Sequence, residues 1–308
     1  MKKSLLIMSI VSLAALKSFS QGCSDAGVCT IHSFKNNTEE YDEENKNNNE
    51  VLIGFAFGKG ERSISYYTPY LQYTRSITSK TSVTGKLVLS AISGELAKTT
   101  GLGDLFLSVN HAIDVKKKWR KSFVAGVKIP FDKADIIKDG IHLPMPYQAS
   151  LGTTDLILGV NVVRKSFGAT LALQQPLISA NGNKFLPENY SSHALASRYL
   201  PTNSFGRKGD VLLRFSYNII LSKKWNLRPG LLSIYHLGND TYVDANNMKR
   251  KINLSDGLTL NANIFLDYRP NKTGEFELSI GTPFVVRINR PDGLTRSLVA
   301  AIEYKFSF

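Results

Sequence analysis

The chain has 308 residues, with 38 Lys and Arg against 25 Asp and Glu, a formal net charge of +13. No stretch offers the roughly 18 consecutive apolar residues of a transmembrane helix, so a helical membrane protein is excluded. A basic nucleic-acid-binding domain is disfavoured as well, because the bases are dispersed rather than clustered and the chain begins like an exported one.

Residues 1–20 read as a secretory signal: Lys2 and Lys3 precede an apolar run from Leu5 to Leu16, and small or polar residues follow. Cleavage near Ser20-Gln21 leaves 35 bases against 25 acids, a charge of +10. Residues 21–50 form an acidic tail with seven acids against two bases, and its stretch 36–50 carries charge and amide without apolar anchors, the composition of a disordered tether. Cys23 and Cys29 lie in this tail, where an oxidising compartment favours a local disulfide. Lipid attachment at Cys23 is the weaker alternative, since Ser20-Gln21-Gly22 is a poor lipoprotein signal. A metal site is weaker still, because only His32 is near enough in sequence to join the two thiols.

From Val51 onward, strict alternation over nine or more residues sets the expectation of long strands with two unlike faces. Such segments fall near 51–59, 64–77, 80–92, 102–114, 118–131, 151–164, 166–177, 207–221, 225–238, 253–268, 274–287 and 293–308. They match the roughly 9 to 11 residues that cross a bilayer at a tilt, longer than the five or six usual in soluble sheets. The sequence therefore predicts an all-β fold, a closed antiparallel transmembrane β-barrel of about 12 strands spanning 51–308.

The connections sort into two sets. With Phe308 placed in the periplasm, the turns near 78–80, 115–118, 165, 222–224 and 269–273 are short and carry base. The opposite set, near 93–101, 132–150, 178–206 and 239–252, is mostly longer and rich in Pro, Gly and Asn; loops near 60–63 and 288–292 are short exceptions. Trp119 and Trp225 follow Lys-rich turns and should sit at one interface with Tyr268 and Phe308. The last strand ends in Tyr304, Phe306 and Phe308 on one face, an aromatic terminus similar to the assembly signal that the barrel assembly machinery reads in outer-membrane proteins. The expected location is the outer membrane of a Gram-negative bacterium, with its lipids as surroundings.

Alternation assigns the lumen residues: Lys86, Asp104, Arg120, Lys128, Asp155, Asp210, Arg214, Asn261, Asp267, Arg287, Glu303 and Lys305 as pore-lining, with Asp114, Arg228 and Glu277 on the same faces. A Gly-x-x-Asp-apolar signature recurs at Gly101 to Leu105 and Gly152 to Leu156, with a looser copy ending at Asp210 and Val211. It reads either as a carboxylate ring at the external mouth or, more simply, as a strand start where Gly permits the bend and Asp caps backbone donors. The charges of both signs fit a water-filled selective pore or an interior plugged by paired side chains equally well. Three mouth acids would leave the mid-barrel and inner end basic.

The entry Thr100-Gly101-Leu102-Gly103-Asp104-Leu105 resembles that of the outer-membrane transporters associated with phenol-degradation pathways (MetA-type), relatives of the long-chain fatty-acid channels. The resemblance implies uptake of small solutes, hydrophobic or aromatic ones among them. The fatty-acid branch has 14 strands and an apolar N-terminal hatch, whereas this chain offers about 12 and an acidic tail.

The expected function is an outer-membrane channel or passive transporter; the alternatives are a non-conducting structural or adhesive barrel and, further off, a lipid-modifying enzyme. For the last, Ser233, Tyr235 and His236 with Asn239 and Asp240 are candidates, but alternation sends His236 to the face opposite Ser233 and Tyr235. His111 stands alone between Val109 and Ile113. No phosphate loop, zinc spacing or other cofactor motif is present, so no cofactor, metal or enzymatic activity is expected.

Overall fold

The computed structural model describes residues 49–114, 118–178, 180–293 and 296–308. The expected signal at 1–20, nearly all of the expected tail at 21–50 and the expected Cys23–Cys29 bridge lie outside these residues.

Twelve long strands form one antiparallel sheet that closes on itself. They are β1 (Asn49–Gly60), β2 (Ser65–Ser76), β3 (Thr81–Ser93), β4 (Lys98–Asp114), β5 (Arg120–Pro130), β6 (Asp155–Arg164), β7 (Phe167–Pro176), β8 (Asp210–Tyr217, resuming at Ile219–Ile220), β9 (Trp225–His236), β10 (Gly257–Tyr268), β11 (Gly274–Val285) and β12 (Arg296–Ser307). Each pairs with its chain neighbours, and β1 pairs with β12 in a register from Glu50↔Ser307 to Gly60↔Arg296. Asn49 and Phe308 complete the seam by exchanging backbone hydrogen bonds of 3.1 and 2.9 Å. Closure leaves no unpaired edge, the condition for a sheet to stand in hydrocarbon.

The outward faces are apolar and open. Ile53, Leu71, Leu171, Leu231, Ile264, Leu278 and Ile302 are among the exposed large side chains of the strands. A contiguous apolar belt of this kind is stable only against a non-polar solvent. Aromatic pairs gather at the end of the barrel that carries the short turns: Trp225 stacks on Tyr268 at 4.5 Å, Phe276 meets Tyr304 at 4.6 Å and Phe306 meets Phe308 at 5.8 Å. Trp119 lies under the Arg164 guanidinium at 4.7 Å. Amphipathic rings of this type mark a membrane interface. Among the described residues no helix is long and apolar enough to cross a membrane.

The opposite end is covered. The connections 131–154 and 177–209 carry a two-residue hairpin and short 3-10 turns, and they pack into a cap with its own apolar core. Leu143, Tyr147, Phe185, Ala196 and Tyr199 of the loops join Ile64, Tyr66 and Ile92 of the barrel rim in one cluster. Met145, Leu151, Phe205 and Ile252 form a second. Asn183 fastens the two loops together: its amide donates to the carbonyls of Ala134 (2.7 Å) and Leu143 (2.9 Å), and its oxygen accepts from Phe185 N (3.0 Å) and Thr202 Oγ1 (2.7 Å). Tyr147 ties the cap to the β3–β4 turn, accepting from Leu96 N at 3.0 Å and meeting the Tyr199 hydroxyl at 2.9 Å.

Candidate functional site

The site is the barrel interior together with its capped end. Along β5, β8 and β9 the inward positions change character from one end to the other. On β9, running from the turn end, they are Asn226, Arg228, Gly230, Leu232, Ile234 and His236; on β8, running the other way, Asp210, Leu212, Arg214 and Ser216; on β5, Arg120, Ser122, Val124, Gly126 and Lys128. Charge at both ends thus brackets an apolar waist, where Phe106, Val124, Ile157, Ala172, Leu212 and Leu232 form one buried cluster with Leu52 and Tyr70.

At the turn end, three carboxylates stand opposite one another on successive strands: Asp267↔Glu277 across β10 and β11, and Glu277↔Glu303 across β11 and β12. Like charges directly opposite repel, so the row needs cations and donors. Arg228 supplies the first, its Nη2 reaching Glu277 at 2.6 Å and Asp267 at 3.3 Å while its guanidinium lies 4.9 Å from the centre of the Phe265 ring. Tyr70 supplies the next. Glu303 faces Gly54, and a Cβ there would fall 2.2 Å from the Tyr70 ring, so glycine lets the tyrosine cross β1 and donate its hydroxyl to Glu303. Lys86 sits 3.8 Å above the same ring, and Lys305 pairs with Glu275 at 2.9 Å.

At the loop end the three aspartates of the glycine signature all point inward and are buried. Asp155 and Asp210 are the first residues of β6 and β8, so the strand-start reading describes their position, while Asp104 lies inside β4. The glycines leave room for the cap: a Cβ on Gly101 would meet Ala149 at 2.7 Å, and Gly152 holds φ +67°, a conformation L side chains rarely adopt. None of the three carboxylates is bare. Lys128 lies 2.9 Å from Asp155 and 3.6 Å from Asp104, and Ser150 donates to Asp104. Asp210 is bound by Arg207 and by His236 Nδ1 at 2.6 Å, and His236 Nε2 meets Asp240 at 2.9 Å. Arg287 joins Asp240 (3.6 Å) to Asp292, which also lies 3.6 Å from Arg207.

The residues picked out by alternation therefore lie as follows. Lys86, Asp104, Lys128, Asp155, Asp210, Arg214, Asn261, Asp267, Glu303 and Lys305 are buried on inward faces, Arg287 is buried in the β11–β12 connection just beyond Val285 rather than on the strand the alternation gave it, and Arg120 is half-buried at the turn end of β5. Of Asp114 only the backbone is described. The expected contrast between an acidic mouth and a basic interior is not what the geometry presents, because the mouth acids are matched by Lys128, Arg207 and Arg287 and the turn end holds its own carboxylate row. Sequence reasoning missed Arg207, Asp240 and Asp292 as members of the site. They lie on loops, where no period marks an inward face; Tyr70 could have been found, since Tyr66, Thr68, Tyr70 and Gln72 recur at a period of two along β2 and share its buried face.

The hydrolase candidates separate. Ser233 and Tyr235 lie on the outward side of β9, and the buried His236 has both ring nitrogens engaged by Asp210 and Asp240, leaving none for an outward serine. His111 is exposed beside Val109 and Ile113, with Nδ1 at 3.0 Å from Thr81 Oγ1.

No protein-family model and no curated protein matches the chain. Similar solved structures are barrels. The KdgM porin aligns with 84% of this chain and 99% of its own at 8% identity and a TM-score of 0.45. The translocator domain of the autotransporter NalP from Neisseria meningitidis aligns with 99% of this chain and 98% of its own at 11% identity and 0.47. The CymD monoaromatic hydrocarbon channel aligns with 85% and 89% at 10% identity and 0.41. These likenesses are distant, and what those proteins carry or export is their own.

Proposed function

We propose that the protein is an outer-membrane barrel of a Gram-negative bacterium that passes small solutes through its lumen, and that the loop cap and the waist hold it shut at rest. The observation that supports conduction is the chemistry of the interior. Among the described residues, buried side-chain oxygens of Thr68, Ser216 and Asn261 have no protein partner although all three face inward. Buried polar groups are paired with protein or with water in the great majority of cases, so water in the lumen is the partner that would satisfy them. The Thr100 to Leu105 resemblance adds hydrophobic or aromatic compounds to the candidate solutes.

The non-conducting reading rests on one specific observation: Val124, Ile157, Leu212 and Leu232 are at most 1% exposed, so the waist is packed. The two readings differ in flux. Proteoliposomes containing the refolded Asn183→Leu variant, which loses the fastening between the cap loops, should swell measurably faster than protein-free vesicles in small solutes such as glycerol or a pentose, and no faster in a trisaccharide. Swelling equal to the protein-free control in every solute overturns the conduit and leaves the structural barrel.

A further inference from the structure

A cleft of about 280 Å³ opens on the rim of the capped end, outside the lumen, between the β1–β2 turn, the cap loops and the β11–β12 connection. Its polar lining is one-sided. Arg62, Arg198 and Arg290 border it, with Glu61 as the acid among its lining residues. Glu61 is already engaged by Arg290 Nη2. Arg290 Nε, in contrast, is buried with no protein partner among the described residues. Burial pushes the Arg290 guanidinium below its usual range, and Asp292 offsets that only in part. The Arg62 guanidinium lies 5.3 Å from the centre of the Tyr199 ring. Arg62 itself adopts φ +49°, a left-handed conformation uncommon for a non-glycine residue, which sets the direction of its side chain from the rim. Tyr199 adds no opposing charge, because burial and the Tyr147 hydroxyl push its phenol far above the ordinary range. Pro144, Pro146, Leu200 and Ile288 supply apolar walls.

We propose that this cleft binds a small organic anion, a carboxylate carried on an apolar ring or short chain, with Arg62, Arg198 and Arg290 taking the carboxylate. Guanidinium forks match a carboxylate's two oxygens, and three of them against one neutralised glutamate leave a net positive site. The volume lies just below the roughly 300 Å³ at which ligand pockets begin, which limits the occupant to about one ring. Proline and aliphatic walls select a body that a bare inorganic anion lacks. The site is built from rim loops and from Tyr66 at the start of β2, and its reading does not depend on whether the lumen conducts.

The test is calorimetric titration of the detergent-refolded full chain with benzoate, benzyl alcohol and inorganic phosphate, alongside the double variant Arg62→Gln, Arg198→Gln. Both arginines are exposed, and because a closed barrel resists denaturant, faster gel migration of the unboiled than of the boiled variant, its compact gel form, reports that it has folded. Benzoate should bind about tenfold or more tighter than either comparison compound, and the variant should lose about tenfold in benzoate affinity, the scale of one charge-assisted hydrogen bond. Benzoate binding no better than benzyl alcohol, or unchanged in the folded variant, overturns the site. Phosphate binding as tightly as benzoate overturns the ligand class.

Discussion

Arg228 is the residue on which the turn end of the lumen depends. It is 1% exposed, and it is the cation shared by Asp267 and Glu277, which the register sets side by side. Removing one partner of a buried ion pair costs about 3–5 kcal/mol, because the carboxylates left behind are neither solvated nor paired. Arg228→Met should therefore lower the temperature at which the compact gel form converts to the unfolded one, while the double change Arg228→Met, Glu277→Gln should recover part of the loss. A single variant as stable as the parent would show that the pair carries nothing. Alternation made Arg228, Asp267 and Glu277 legible as inward residues. It could not make the triad legible, since that requires knowing which residues of β9, β10 and β11 stand opposite one another. Nor could it reveal that Gly54 exists to let Tyr70 reach Glu303 across β1.

The strands were the most legible elements, because a period of two over a dozen residues is imposed by two unlike solvents. All twelve expected segments contain a strand; the starts at 151, 207 and 253 moved to Asp155, Asp210 and Gly257, where a long loop feeds the strand, while that at 102 moved back to Lys98 and those at 118 and 293 moved forward to Arg120 and Arg296. The cap was not legible. Its core residues, such as Tyr147 and Phe185, come from connections whose Pro, Gly and Asn content announces only irregular backbone, and its ion pairs join side chains far apart in sequence. Asp292 shows the consequence for acid stability. Burial alone would raise its carboxyl, but Arg287 and Arg207 hold it below the usual carboxylate range. A carboxyl depressed in the folded state stabilises fully above its unfolded value of about 3.9, and the contribution is lost as pH falls through the lower folded value. The β11–β12 connection should accordingly stay protected from an acid-active protease at pH 5 and become cleavable as the pH drops below about 4. In Asp292→Asn the protection should be weaker at pH 5 and its acid step shallower. An acid step of unchanged depth in the variant would remove Asp292 from this role.

At the scale of the whole molecule, the structure has a continuous apolar exterior, a closed seam and an interior that is polar at both ends, and under the proposed function the cap and waist are its closed state. Asn183 is the fastening most open to experiment, because it joins the two cap loops from a position outside the barrel wall. Asn183→Leu keeps the branched shape but leaves the carbonyl of Ala134 and the donors of Phe185 and Thr202 without their partner, while the Leu143 carbonyl keeps only Gln148 Nε2. Each such buried orphan costs about 1–3 kcal/mol, enough to shift the cap between shut and open without touching a strand. Planar-bilayer recording of the parent and of Asn183→Leu is the most direct measurement. The parent should sit near zero conductance with brief openings, and the variant should show the same unitary step with a many-fold higher open fraction. Silence from both folded proteins would contradict the conduit, and a parent that is steadily open would contradict the cap.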